Sequence, residues 1–283
     1  MRPAGSLAGE KITNREVVVL GDPIHDIFLD GSIEDPAIFT TQVIASRSGG
    51  ALNVFENVKV LMSHNKSHFL SPYEWHQGLD WWNPHWTYSL IRTPIHTRGF
   101  LLSTKEHSSF YKNEDLVRRL RLYHDSVVIF ADYDKGTLTS FPKQDDPWLN
   151  ANYPLCIVDS RYRSLDLRWL EPFDIKIWHC TGDEFDKDWA LNFDWVLHTD
   201  GPNHVRVSHI HTFCSDTFIP VPQDTPIVDT IGAGDTFTAA VAASLSDKEI
   251  TPENILEAGK FAITACQDVI QKRYTAVTDV RLS

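Results

Sequence analysis

Short apolar runs rich in β-branched residues, each closed by a glycine or a polar residue, recur along the chain. The first spans residues 16–20 and ends at Gly21-Asp22-Pro23; others fall at 126–131, 155–158, 175–178 and 194–197. Continuous rather than alternating apolar character suits strands covered on both faces of a parallel sheet. Some of the intervening segments carry helical spacing instead. Over 114–123, Leu116, Val117, Leu120 and Tyr123 fall on one stripe. In the last third, Phe237, Ala240, Val241 and Ser244 mark a helix that follows Asp235, and a second helix is predicted over about 252–271. Strands alternating with helices predict an α/β fold: a doubly wound, mostly parallel sheet flanked by helices.

Two stretches break the alternation. Residues 27–48 and 93–111 read as short strands around polar turns, and are expected to form a small antiparallel β lid beside the main domain. Between them, residues 64–90 hold Trp75, Trp81, Trp82 and Trp86 with Tyr73 and Tyr88. This segment reads as a packed aromatic insertion or an oligomer contact in preference to a sugar-stacking platform. Residues 1–15 are polar and read as a disordered lead-in, leaving 16–283 as a single domain.

Composition narrows the classes. The 283 residues suffice for one large domain, and no run approaches the apolar length of a membrane span. The net charge of −12, with no basic block, argues against nucleic-acid partners. A phosphorylated small molecule is still open, because a few backbone amides can hold a phosphate locally. Cys156, Cys180, Cys214 and Cys266 are scattered without a CxxC pair, which fits reduced thiols and a cytoplasmic location. The histidine pairs His64/His68 and His209/His211 lack a third ligand at a recognised spacing, so a catalytic transition metal is not expected. Neither a G-x-S-x-G elbow nor a Walker A loop is present.

The chemistry concentrates at Thr230-Ile231-Gly232-Ala233-Gly234-Asp235, just ahead of the small-residue helix. Glycines allow close backbone approach, and a helix start directs free N–H groups and a positive dipole end at an anion. A carboxylate at that edge can take the proton of a hydroxyl attacking a γ-phosphoryl group. Alone, the same residues also describe a Gly-rich turn with Asp235 capping the helix.

The wider pattern Asp229-Thr230-x-Gly232-Ala233-Gly234-Asp235-x-Phe237 resembles the signature of the ribokinase-like sugar kinases, the phosphofructokinase-B family. The resemblance implies that Asp235 is the catalytic base and that Gly232, Ala233 and Gly234 form the anion hole. Asp26, after the first strand, matches the family's substrate-binding Asp. Gly49, Gly50 and Asn53 match its Gly-Gly-x-x-Asn turn at the sugar. Within the family the motifs are most similar to bacterial heptose 7-phosphate kinases, through Arg47-Ser48-Gly49-Gly50 and Asp132-Tyr133-Asp134-Lys135-Gly136. Asp132 is then expected at the substrate, and Arg47 and Arg98 are candidates for a substrate phosphate. The nucleotide side is expected at Thr199, Gly201, Thr230 and Thr275, and Glu184 is expected to reach magnesium through water.

The family's pattern is broken at three points. Thr181 stands where an Asn precedes the Glu, His204 stands at a second glycine of the nucleotide strand, and Tyr274 replaces a glycine near the C-terminus. The resemblance implies ATP and Mg2+ as cofactors, often with K+, and a sugar or sugar phosphate as acceptor. Homodimerisation through the lid is a further expectation. A kinase homologue that only binds sugar or nucleotide as a regulator is the alternative.

Overall fold

A computed structural model describes residues 15–29, 43–62, 66–70, 86–92, 97–103, 113–134, 137–138, 152–211, 216–274 and 276–282. In chain order the strands are β1 (Val17–Gly21), β2 (Pro23–Leu29), β3 (Val43–Gly50), β4 (Ser67–Leu70), β5 (Trp86–Arg92), β6 (Thr97–Ser103), β7 (Val127–Asp132), β8 (Tyr153–Ser160), β9 (Phe173–Thr181), β10 (Trp195–Asp200), β11 (His204–His209) and β12 (Thr217–Pro220). The helices are α1 (Ala51–Leu61), α2 (Asn113–Leu120), the single turn α3 (Lys187–Ala190), α4 (Ala233–Leu245) and α5 (Pro252–Val269).

The main sheet has eight strands in the order β12-β11-β10-β9-β8-β7-β1-β4. Pairing is parallel from β4 through β10, then antiparallel for β11 and β12. The expected mostly parallel α/β sheet is therefore present. The apolar runs of β1 and β7 are buried at every position because residues alternate between two separate cores. Val17, Val19, Ile129 and Ile157 pack with α1, α4 and α5; Val18, Leu20, Val128 and Phe130 pack on the opposite face with α2.

The winding departs from a strict strand–helix alternation. β8 passes to β9 through the 3-10 turn Leu167–Leu170, and β9 to β10 through a 3-10 turn and α3. Large aromatic side chains cover that face where helices are short: Tyr153, Trp169, Trp178 and Phe193 are fully buried there. Trp178 stacks between Phe185 and Phe193, at 6.0 and 5.9 Å.

A second, antiparallel sheet runs β3-β2-β6-β5. Its strands reach beyond the 27–48 and 93–111 segments, beginning at Pro23 and taking in Trp86–Arg92. The Trp-rich segment is thus partly regular structure: β4 is an edge strand of the main sheet and β5 an edge strand of the small one. Residues 1–14, 71–85 and 93–96 lie outside the described residues.

Gly21 makes the crossing at the end of β1 possible. A Cβ there would fall 2.3 Å from the carbonyl oxygen of Ala131 and 2.9 Å from Cβ of Ala51. No larger residue lets β1, β7 and the start of α1 meet so closely.

Candidate active site

The Gly232–Asp235 turn opens α4 at the C-terminal ends of the central strands. Gly232 is the N-cap with φ of 83°, a left-handed conformation that glycine adopts without strain. The N–H of Ala233 closes a turn on the carbonyl of Thr230 at 3.2 Å. Ala233 is therefore less available as an anion-hole donor than its two neighbours. The N–H groups of Gly234 and Asp235 find no backbone acceptor among the described residues, as the first turn of a helix requires. They are the donors an anion would meet.

The Asp235 carboxylate is gripped at both oxygens. Tyr133, just after β7, donates its hydroxyl to Oδ1, and Asn53, in the first turn of α1, donates Nδ2 to Oδ2 at 2.8 Å. The sense of the Asn53 amide follows from a chain of buried groups. The backbone N–H of Thr278 donates to Oδ1 of Asn57 at 3.0 Å, which turns the Asn57 amino group toward Asn53. Asn57 Nδ2 then donates to the Asn53 carbonyl oxygen at 2.9 Å and to its Oδ1 at 3.3 Å. Since the first donor is a backbone N–H, neither amide can be reversed without breaking the chain. Asn53, expected at the sugar, thus has one amino hydrogen committed to Asp235.

Asp235 is half-buried, and desolvation pushes its carboxyl up to about 7; the charge of Asp159 raises it further, the bonds from Tyr133 and Asn53 lower it, and Asp26 raises it. A carboxylate poised there can accept a proton near neutral pH far better than an ordinary aspartate.

Asp26 is fully buried in β2, opposite Arg47 of β3. Gly49 creates its room: a Cβ on residue 49 would lie 2.6 Å from Asp26 Cγ and 2.6 Å from Oδ2. Gly50 is left-handed with φ of 54°, where a Cβ would also strike Ile24 at 2.7 Å. Both glycines of the expected sugar turn therefore have local physical reasons. Arg47 is exposed, and the backbone of Arg98 lies in β6 opposite Phe28.

Asp132, expected at the substrate, is bonded to the turn after β8 and to Asp134 N. Its two oxygens accept from Asp134 N, Ser160 Oγ, Ser164 N, Ser164 Oγ and Leu165 N, all within 3.2 Å. Five donors exceed the roughly four lone-pair sites of a carboxylate, so nothing remains for a sugar. Asp132 instead organises the turn after β8 and fixes the chain at Tyr133. The neighbour of the expected residue is the one that reaches the site.

Under the loop lies a second buried network. His179, almost fully buried in β9, places Nδ1 2.9 Å from Thr238 Oγ1 and 3.6 Å from Asp159 Oδ2, and Nε2 3.4 Å from Thr199 Oγ1. Thr238 donates to Asp159 Oδ2 at 2.7 Å, and the His179 ring stacks on Phe237 at 4.8 Å. β8, β9, β10 and α4 are thereby locked together beneath Gly234. Tyr133, Asn57, His179, Thr238 and Asp159 are not among the site residues expected from the sequence. A usable signal existed for Asn57: two asparagines at i and i+4 share one helix face.

On the far side of the loop a cavity of about 430 Å3 opens, lined by residues that include Thr181, Thr199, Gly201, Thr230, Gly234 and Cys266. Thr199, Gly201 and Thr230 thus lie together on its wall, while Thr275 is outside the described residues. His204 is not on the wall: it pairs edge-on with Phe218 at 4.9 Å, so it does not crowd the cavity. Tyr274 keeps the left-handed backbone, φ of 67°, that a glycine would supply, and its N–H donates to Asp229 Oδ2 at 3.0 Å. Thr181 caps the turn Gly182–Glu184, its N–H bonded to Glu184 Oε2 at 2.9 Å, while Glu184 Oε1 faces Arg161 Nε at 3.5 Å. Cys266 donates its thiol to the Ala233 carbonyl at 3.1 Å; burial, with the charge of Asp235, pushes it up to about 12, so it is inert.

This architecture is the ribokinase-like fold. The chain is similar to a ribokinase of Giardia lamblia (16% identity, 92% of this chain and 94% of that one, TM-score 0.66). It is also similar to a ribokinase of Thermotoga maritima (14%, 94% and 97%, 0.66) and to an adenosine kinase of Sinorhizobium meliloti (17%, 92% and 95%, 0.58). The family described as pfkB family carbohydrate kinase matches residues 188–280, which contain the Gly232–Asp235 loop. Over those residues the chain is similar to the pfkB carbohydrate kinases, and the solved structures show the fold. No curated protein matches the chain. Nothing in these matches supports the heptose 7-phosphate specificity that the sequence motifs imply.

Proposed function

We propose that this protein transfers the γ-phosphoryl group of MgATP to a hydroxyl of a sugar or sugar phosphate, with Asp235 as base. The observation that carries the reading is the position of Asp235 between two groups of residues. On one side stand Asp26, Asn53 and the Gly49 turn, and on the other the open helix start and the cavity. A polyol enters over Asp26, which offers fixed acceptors. Asp235 takes the hydroxyl proton as the oxygen forms its bond to the γ-phosphorus. The bond from that phosphorus to the bridging oxygen breaks, and ADP leaves. The N–H groups of Gly234 and Asp235 stabilise charge on the transferring group.

The donor set fits a magnesium ion carried by the triphosphate rather than a protein cage. Among the described residues no three His, Cys, Asp or Glu side chains cluster to hold a metal. Glu184 would hold the ion through water, since each of its oxygens accepts one contact and keeps another lone pair. Magnesium there would neutralise phosphate charge.

Arg47, exposed beside Asp26 in the strand register, favours an acceptor that already carries a phosphate, and a heptose phosphate fits that requirement. A cytoplasmic location and a homodimer joined through the small sheet belong to the same proposal. The regulator reading has one observation in its favour: Glu184 is already engaged by Thr181 and Arg161. The deciding experiment is coupled ADP release over a panel of sugars and sugar phosphates, with Asp235→Asn as control. Turnover well above the control on at least one acceptor is expected; none on any acceptor would remove the kinase reading.

A further inference from the structure

Tyr133 lies in one of the motifs of the family resemblance but is given no role by it, yet its hydroxyl touches the proposed base. We propose that Tyr133 is a positioning residue which, with Asn53, clamps the Asp235 carboxylate at both oxygens and holds it in its proton-accepting form. The inference rests on Asp235 being the base.

Four observations carry it. First, the chain at Tyr133 is anchored from both sides. Asp132 is saturated by the turn after β8, and Asp134 is left-handed with its N–H bonded back to Asp132 Oδ1 at 3.2 Å. The Tyr133 ring packs on the core beneath α1 and α4, so its hydroxyl has little freedom. Second, in the ionised form the direction of the bond is fixed, because a carboxylate only accepts and the phenol must donate. Third, the acidic groups facing Asp235 oppose its ionisation, while the start of α4 in which it stands favours it. Asp159 on β8 and Asp26 on β2 bring like charge, and Cys266 on α5 is a neutral thiol. Tyr133 and Asn53 are the donors that counter them. Fourth, a clamp of one donor per oxygen uses two of roughly four lone-pair sites, leaving one on each oxygen for an incoming hydroxyl. The base is held without being blocked.

The test uses the full chain with Tyr133→Phe, which keeps the ring and removes the hydroxyl. The titration of Asp235 is followed without ligand by 13C NMR of the aspartate carboxyl carbons, assigned with Asp235→Asn. The midpoint is expected to rise by about half to one pH unit; an unchanged or lower midpoint overturns the proposal. In turnover, the acidic limb of kcat/KM should move up with it, and kcat at pH 7 should fall while the sugar KM changes by less than about twofold. A large rise in KM at constant kcat would make Tyr133 a sugar ligand and also overturn it. Should Tyr133→Phe unfold, 3-fluorotyrosine at 133 supplies a stronger donor and must move the midpoint down. The NMR titration needs no activity. A chain that turns over no sugar would therefore fail as a kinase while the clamp is still decided.

Discussion

Replacing Asp235 by Asn should cost activity and yet relieve the fold of a pH-dependent burden. The carboxyl sits at about 7 in the folded chain against an ordinary 3.8. Because the folded value is raised, the native state holds the proton more tightly than the unfolded state. The resulting stabilisation is present at low pH and is lost as pH rises from the unfolded value through the folded one. Between pH 5 and pH 8 the wild-type chain should lose about 2–3 kcal/mol from this group alone, at roughly 1.4 kcal/mol per pH unit over the two units below 7. An asparagine cannot titrate and escapes the loss. It can keep both contacts by turning its oxygen to Asn53 Nδ2 and its amino group to the Tyr133 hydroxyl oxygen, and loses only the charge assistance of those bonds, about 1 kcal/mol. That cost is the same at every pH, so the measurement is a difference of differences. Urea unfolding of both proteins is compared at pH 5 and pH 8, without ligand. The gap should move in favour of Asp235→Asn by about 2–3 kcal/mol between the two. Parallel pH dependences would refute the reasoning, because Asp235 would then ionise as an exposed aspartate does.

Gly49→Ala puts a methyl 2.6 Å from the Asp26 carboxyl carbon, about 1 Å inside normal contact, so the acceptor side should suffer. A loss of about 1–3 kcal/mol is expected, read as a roughly 5- to 160-fold fall in kcat/KM for the sugar with the KM for ATP little changed. Asn57→Asp still accepts from Thr278 but cannot donate to Asn53. The Asn53 amide should reverse and present its oxygen to Asp235, and the acidic limb of kcat/KM should move to higher pH; an unmoved limb would break the amide chain as drawn. Thr238→Val removes the hydroxyl shared by Asp159 and His179, and thermal unfolding should report a loss of about 1–3 kcal/mol.

The central strands are legible in the sequence because each is a continuous apolar run, and double-sided burial leaves that trace. The Gly232–Asp235 loop is legible because its chemistry demands adjacent small residues. Strand β5 is masked: Trp86, Tyr88 and Leu90 alternate with Thr87 and Ser89, but the tryptophans that precede them make the segment read as an aromatic insertion. The short crossovers around β9 are hidden for a related reason, since aromatic side chains such as Trp178 cover a face that helices would otherwise cover. Within the site, residues that share a short motif with the loop or the sugar turn can be expected from the chain. Those that meet Asp235 only through the fold cannot. Asp132 and Tyr133 show the limit, because adjacent residues on one strand end point to opposite tasks and only contacts decide which is which.

The amide chain from Thr278 has a consequence for how the molecule comes alive. Thr278 and Asn57 are 221 residues apart, so the contact that orients Asn53 closes nearly the longest loop the chain can make. Contacts of such separation are entropically expensive and form late. The parallel strands can therefore pair before α1 docks on α4 and α5 and Asp235 has its final partner. Refolded from denaturant, the chain should regain its circular dichroism ahead of its capacity for catalysis. Maturation of the base becomes the last folding event rather than an early one.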